Sequence, residues 1–375
     1  VTGFFGRLSG GAFGRLLLPG IVLQSVLIGG GYASGREVVE FGARFGVYGA
    51  GAVVVVFIGF ILMAILTFEL ARLSRAYEYK AFMRQLIGRA WPAFDLLFGT
   101  MAVLIIAVMA SAAANIMGQV LGLPAAVGTG LIIIAVGTLC YFGTTLIEGF
   151  KSIGTGLLYI AYLLFAAVVL AQQWPQLGSA FSTDGMEHFP QATAGAALLA
   201  GIIYVGYNLA VFPTVLFTLH RQQSSRDTLT AGVIAGVLMT LPFALTWLCL
   251  LAYYQNPAVF EAPVPWLVML EDAGGGWLLI AFALVMGWTL LETSVGLIHA
   301  LLERVDNNLD RSGGGLSRPL RGILGAGVLL AAAVLSQIGI IALIARGYTI
   351  MGYLFIALFA LPLMTIGLAR ILRRS

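Results

Sequence analysis

Ile28-Gly29-Gly30-Gly31-Tyr32-Ala33-Ser34-Gly35-Arg36-Glu37 interrupts an otherwise apolar stretch running from residue 16 to residue 42. A glycine inside a helix costs about 1 kcal/mol relative to alanine, so three in succession predict local unwinding. The surrounding solvent makes that reading decisive. Of 375 residues, 60% are apolar and 10% charged, and the mean hydropathy is +0.99. A soluble domain carries about 25% charged residues, and a chain this apolar has no soluble interior large enough to hold it. Lipid cannot satisfy free backbone groups, so an unwound segment at membrane depth must line a cavity and bind something there. Exposed N–H groups at Gly29, Gly30 and Gly31 suit an anionic group such as a carboxylate, and exposed carbonyls suit a cation. Close helix packing through small residues is the competing reading, and with 48 glycines in the chain one cluster does not decide between them.

Working outward, the apolar runs are continuous and helix-length, which excludes the alternating strands of an outer-membrane barrel. Ten spans are expected, at roughly 16–42, 48–71, 94–121, 127–145, 150–172, 194–219, 229–252, 277–302, 318–343 and 348–369. Sorting Lys and Arg onto alternate sides places seventeen of the twenty on one side. By the positive-inside rule that side is cytoplasmic and both termini lie there. These basic residues sit in short loops without a recognition motif, so nucleic acid is not an expected partner. The lipid bilayer is one; the oligomeric state is not legible.

Ten spans divide into two sets of five, and an odd number per set turns the second set upside down. The loops agree. Residues 72–92 carry five basic residues and Glu78, whereas the equivalent 253–276 has no Lys or Arg but has Glu261, Glu271 and Asp272. A second glycine-containing interruption, Gly206-Tyr207-Asn208 in span 6, lies 177 residues after Gly29, close to half the chain. Paired interrupted helices are the best sequence pointer to a transport site. The expected division is an interfacial segment over 1–15, a first repeat over 16–172, an outer linker over 173–193, an inverted second repeat over 194–369 and a cytoplasmic tail over 370–375.

The stretch 28–37, Tyr204-Val205-Gly206-Tyr207-Asn208 in span 6 and Glu292-Thr293-Ser294 in span 8 together resemble the leucine-transporter-type fold of the amino acid–polyamine–organocation superfamily. More narrowly they resemble the YkvI-type bacterial membrane proteins. The resemblance implies an all-α membrane protein of two inverted five-helix repeats, with helices 1 and 6 interrupted. It also implies a central site between spans 1, 3, 6 and 8, with access alternating between the two sides. In sodium-coupled relatives an ion sits between the break in helix 1 and a Thr-Ser pair on helix 8. Carried over, its ligands are the side-chain oxygens of Thr293 and Ser294 and the carbonyls of Ser25, Ile28 and Leu290. Back-bonding of Thr293 and Ser294 to their own helix is the alternative. The metal-transporter branch is disfavoured, since its Asp-Pro-Gly-Asn motif is absent from helix 1 and His188, His220 and His299 are scattered. The segment 256–266, with Pro257, Pro263 and Pro265, resembles the extracellular lid of the family.

The remaining polar residues within the spans are few. Glu292 lies deep in span 8, where an isolated charge costs at least about 2.5–3.5 kcal/mol, so it must be protonated, paired or facing water. It shares a helical face with Trp288 and His299, and Thr293 and Ser294 turn toward another. Arg36, Glu40 and Arg44 stand four apart and can pair locally. Glu37 is left over for a substrate amine, an outer gate or a salt bridge to another helix. Ser111, Asn115, Gly118 and Gln119 form one polar stripe on span 3. Tyr204, Tyr207 and Asn208 flank Gly206 in span 6. Glu69 and Arg72 read as a pair at the end of span 2.

These residues point to a secondary active transporter of a small polar, amine-bearing or zwitterionic solute. Its substrate would meet Gly29–Gly31, Glu37, Ser111, Asn115, Tyr204, Gly206, Tyr207, Asn208, Trp288 and Glu292. No organic cofactor is expected. Coupling to sodium through Thr293 and Ser294 is preferred over coupling to protons through Glu292. An enzyme is not expected, because no His-Glu-x-x-His or Gly-x-Ser-x-Gly motif is present. A channel or a structural scaffold is the rival reading.

Overall fold

The computed structural model describes residues 11–27, 34–142, 144–182, 186–309 and 317–373. Helices and turns account for them, with no strand among the described residues. Seven helices are long and apolar enough to cross a membrane unaided: Ala43–Ser74, Tyr79–Leu121, Ala194–Arg221, Ser225–Ala252, Gly276–Asp306, Pro319–Ser336 and Ile340–Leu372. They are spans 2, 3 and 6–10. Span 4 is the shorter Ala125–Cys140, and span 5, Leu158–Gln172, bends by 76° into Trp174–Ala180. Span 1 is made of Phe13–Leu27 and Arg36–Phe41, on either side of the undescribed 28–33. Two sets of five result. The connection between spans 2 and 3 carries the helix Tyr79–Ile87, and the equivalent one between spans 7 and 8 carries Pro257–Glu261 and Pro265–Gly274.

Burial sorts the spans into a centre and a rim. Along their most apolar stretches, spans 3 and 6 are 72% buried, whereas span 9 is only 17% buried and turns Ile323, Leu330 and Val334 outward. A helix that is apolar all round, yet exposed on one side, is what a lipid solvent requires. Local signals fix the ends. Span 7 begins with a capping box, in which the Ser224 hydroxyl accepts from the Asp227 N–H and the Asp227 carboxylate accepts from the Ser224 N–H. Span 3 stops at Gly122, which is left-handed at φ 68°.

Span 6 departs from the expected form. The helix stays α through Gly206, Tyr207 and Asn208 and then tightens to 3₁₀ over Leu209–Arg221. Pro213 lies in that segment, where it cannot donate to an α ladder, and a 3₁₀ run of this length is unusual. The interruption is thus a change of hydrogen-bond pattern at Leu209 rather than an unwound loop at Gly206. Gly206 has another task. A Cβ built on it would lie 2.7 Å from the Gly352 carbonyl oxygen, and one on Gly352 would lie 2.8 Å from the Ile203 carbonyl oxygen. The two glycines let spans 6 and 10 touch backbone to backbone.

At the basic end, Glu69 ties span 2 to span 7. It accepts from Arg72 at 2.6 and 3.0 Å, from the Ser225 hydroxyl at 2.8 Å and from the Thr228 hydroxyl at 2.7 Å. The expected Glu69–Arg72 pair is therefore part of a larger network. Hydrogen bonds to a charged group are worth about 1.5–3 kcal/mol, so Glu69→Ala is expected to destabilise the fold by roughly that amount. Thermal unfolding in detergent reads this out, and an unchanged midpoint would show the network to be energetically idle.

Candidate functional site

The half of span 1 after the undescribed segment is held under a lid. Gly35 is left-handed at φ 77°, and a Cβ there would lie 2.9 Å from the Trp266 indole, so both conformation and space call for glycine. The Trp266 backbone N–H donates to the Ser34 carbonyl at 3.5 Å, and Trp266 is buried against the Tyr162 ring, 5.4 Å between centroids. Arg36 donates to the carbonyls of Phe260 and Ala262 at the C-terminal end of Pro257–Glu261, where a cation is favoured. Its carboxylate neighbour Glu40 lies 3.9 Å away and pairs with Arg44 as well. These are the local pairs the spacing predicts.

Glu37 turns the other way, into the protein. It is 3% exposed, and the Tyr207 hydroxyl donates to its Oε2 at 2.5 Å. Both residues line a small cavity of about 40 Å³, together with Asn208, Thr293 and Tyr348 and the apolar Val26, Met101, Ile105 and Leu297. A water needs about 10–15 Å³ of such volume, so this space holds a few waters and no larger solute. The Tyr348 ring sits 4.8 Å from that of Tyr207, and its hydroxyl is buried without a hydrogen-bond partner. An unmet buried hydroxyl costs about 1–3 kcal/mol, a burden that a polar ligand would relieve.

A second cavity, about 760 Å³, follows on from the first and shares Val26, Met101, Ile105, Ala210, Val211, Thr293 and Leu297 with it. It runs along the basic-end halves of spans 1, 3, 6 and 8, past Ser25, Phe98, Thr214, Thr289, Glu292 and Gly296, to Phe13 and Ala300. That volume suits a small-molecule site or its vestibule. The described residues thus leave the larger hollow toward the basic end and the smaller one beside Glu37.

The sequence-derived residues distribute unevenly over this geometry. Glu37, Tyr207 and Asn208 meet at the small cavity, although the Asn208 amide donates to the Tyr204 carbonyl in its own helix at 2.8 Å. Glu292 is half-buried on the wall of the larger one. Tyr204 lies on neither wall; it is fully buried among Phe41, Phe60, Tyr207 and Phe243, the last at 4.5 Å. Gly206 faces span 10. Ser111 and Asn115 also lie off both walls, the Asn115 amide donating to the Ser111 carbonyl at 2.7 Å. Trp288 lines neither cavity.

Of the ion set, Ser25 lines the larger cavity, its hydroxyl donating to the Val22 carbonyl at 2.9 Å, and Thr293 lines both cavities. Ser294 is turned to span 3, where its hydroxyl meets the Met109 sulfur at 3.2 Å. Leu290 is fully buried. Ile28, Gly29, Gly30 and Gly31 lie outside the described residues. Glu292 and Thr293 share the cavity wall despite the 100° between them, because the hollow is wide enough to take in Thr289, Gly296 and Ala300 as well. Tyr348 is a site residue that sequence reasoning misses, as are Thr214 and Thr289 on the larger cavity's wall. Tyr348 ends a π-turn, Leu343–Tyr348, of a kind that recurs at functional sites, but no local pattern announces it.

No protein-family profile matches the chain. It is 23% identical over 339 residues to the uncharacterised membrane protein YkvI of Bacillus subtilis, covering 90% of this chain and 92% of that one. Among solved structures it is similar to MhsT in complex with L-phenylalanine, with a TM-score of 0.57, 17% identity and coverage of 95% and 97%. A manganese transporter of Eremococcus coleocola gives a TM-score of 0.55 at 12% identity, covering 96% and 86%. A substrate-bound, outward-open Na+-coupled sialic acid symporter gives 0.54 at 15%, with the same coverage. The fold is therefore the leucine-transporter type, and the chain is a multi-pass membrane protein. Among the described residues no three of His, Cys, Asp and Glu come together as a metal-binding group.

Proposed function

We propose that this protein is a secondary active transporter that carries a small amine-bearing or zwitterionic solute by alternating access. The observation that carries the reading is Glu37, a carboxylate buried beside the small cavity, with the Tyr207 hydroxyl as its hydrogen-bond donor. A buried carboxylate is costly without a positive partner, and a solute ammonium supplies one. Tyr207 and Tyr348 add ring faces for the cation and hydroxyls for hydrogen bonding. The Gly29–Gly31 amides remain the proposed partners of a solute carboxylate. In this reading the protein lies in a bacterial cytoplasmic membrane with both termini cytoplasmic. The conformation is the one open to the cytoplasm, and the small cavity must widen to admit solute. The wider kinship we propose is with the YkvI-type proteins and the amino acid–polyamine–organocation superfamily. The first test is a thermal-shift screen of the amino acids and small amines. Binding to the folded state raises the unfolding midpoint by mass action, and a panel that produced no shift would count against the reading.

Sodium is the proposed coupling ion, with the Thr293 hydroxyl and the Ser25 carbonyl as proposed ligands, both residues lying on the wall of the larger cavity. Neutral oxygen ligands suit a monovalent ion that must leave again. Replacing sodium by choline at fixed pH is expected to abolish uptake into proteoliposomes; undiminished uptake eliminates sodium coupling. The second reading, proton coupling, rests on Glu292 lining the larger cavity. It predicts uptake driven by a pH gradient in choline and lost in Glu292→Gln.

A further inference from the structure

At the basic end, span 2, the connecting helix Tyr79–Ile87 and the last turn of span 10 border a third, half-open cavity. It measures about 470 Å³ and is lined by Leu70, Ser74, Gln85, Arg370 and Arg373, none of which lines the central cavities. Span 10 is in ordinary contact with both neighbours there: a Cβ on Gly367 would lie 3.5 Å from Leu70 and 3.7 Å from Leu86. Arg370 reaches across and donates to the Gln85 carbonyl, fixing span 10 to the connecting helix. Arg373, one turn later and exposed, lines the same cavity.

No carboxylate lines this wall. The ion pairs among the described residues engage Arg15, Arg36, Arg44, Arg72, Arg304 and Arg321, and neither Arg370 nor Arg373 takes part. The neighbourhood is predominantly basic. Arg75 follows Ser74 and Arg84 precedes Gln85, both exposed, and Glu78 is the acid of the connection. On span 10 the exposed Leu368 and Leu372 flank Arg370, presenting apolar surface beside the charged cavity.

We propose that this cavity binds the phosphate headgroup of an anionic phospholipid, with the acyl chains lying along the outer face of span 10. Guanidinium groups match phosphate oxygens in charge and geometry. A basic pocket between helix ends at the membrane surface is where such lipids are held. Lipid is favoured over free phosphate because charged and apolar surface adjoin on one helix end, which only an amphiphile can cover.

The test uses the whole protein, stripped of lipid in a neutral detergent, and follows its thermal unfolding midpoint against added lipid. Phosphatidylglycerol is expected to raise the midpoint saturably, and phosphatidylcholine is not. Each cavity arginine removed is expected to raise the half-saturating concentration about fivefold, so Arg373→Gln shifts it about fivefold and the Arg370→Gln, Arg373→Gln pair about 25-fold. Arg373→Gln keeps the Arg370–Gln85 contact and therefore reports binding even if the double variant folds poorly. Arg89→Gln, an exposed arginine outside the cavity, is expected to leave the curve unchanged. Equal protection by the two lipids, a wild-type curve in Arg373→Gln, or equal protection by inorganic phosphate would each overturn the proposal.

Discussion

Glu37→Gln is expected to abolish solute-dependent stabilisation while leaving the empty protein as stable as before or more so. The substitution keeps the side chain's volume and its acceptor oxygen, so the Tyr207 hydroxyl still has somewhere to donate. It removes the charge. A charge-assisted hydrogen bond is worth about 1.5–3 kcal/mol, which corresponds to roughly 10- to 150-fold in affinity for an ammonium. Relieving the burial of an unpaired carboxylate acts in the opposite direction on the empty fold. The signature is thus a lost ligand shift without a lowered baseline midpoint. Tyr207→Phe is the companion variant, which keeps the carboxylate and removes the donor, and a smaller loss is expected. Titration of the solute found by thermal screening, monitored by calorimetry, measures both. Full affinity in Glu37→Gln would remove Glu37 from the site.

Gly206→Ala is expected to act on stability and hardly at all on solute affinity. The added methyl would sit 2.7 Å from the Gly352 carbonyl oxygen and 2.8 Å from Ile356, both in span 10. Overpacking of this kind typically costs about 1–3 kcal/mol, and Gly206→Val more, because backbone rather than a mobile side chain stands in the way. Gly352→Ala is expected to do the same from the other side, and the double variant less than the sum, since the two share one contact. Thermal unfolding in detergent measures the loss. A Gly206→Ala protein with an unchanged midpoint and weakened solute binding would instead make Gly206 part of the site.

That glycine shows where the sequence stops being legible. A glycine that unwinds a helix and one that lets two helices touch both need the absence of a side chain, and only the partner distinguishes them. Gly352 is far along the chain, so its contact with Gly206 leaves no local trace. The charges were easier to read. Spacing alone paired Arg36 with Glu40 and Glu40 with Arg44, and Glu37 was the remainder that reached the cavity. Loop charge of opposite sign also pointed to inverted repeats, because those residues answer to the membrane rather than to neighbours. Side chains that can satisfy themselves misled: Asn115 spends its amide on Ser111 within one helix, so a polar stripe need not face a hollow. The wheel for span 8 separated Glu292 from Thr293, yet a wide cavity takes in both. Tyr348 was beyond reach altogether, since its role depends on a π-turn and on Tyr207, four spans earlier in the chain.

The most direct test of the central claim is initial-rate uptake of the stabilising solute into proteoliposomes, as a function of its concentration. Wild-type protein is predicted to give saturable, ion-gradient-dependent uptake that Glu37→Gln eliminates at equal reconstitution. Flux that rises without saturation, or that persists unaltered in Glu37→Gln, would contradict a carrier built around that carboxylate.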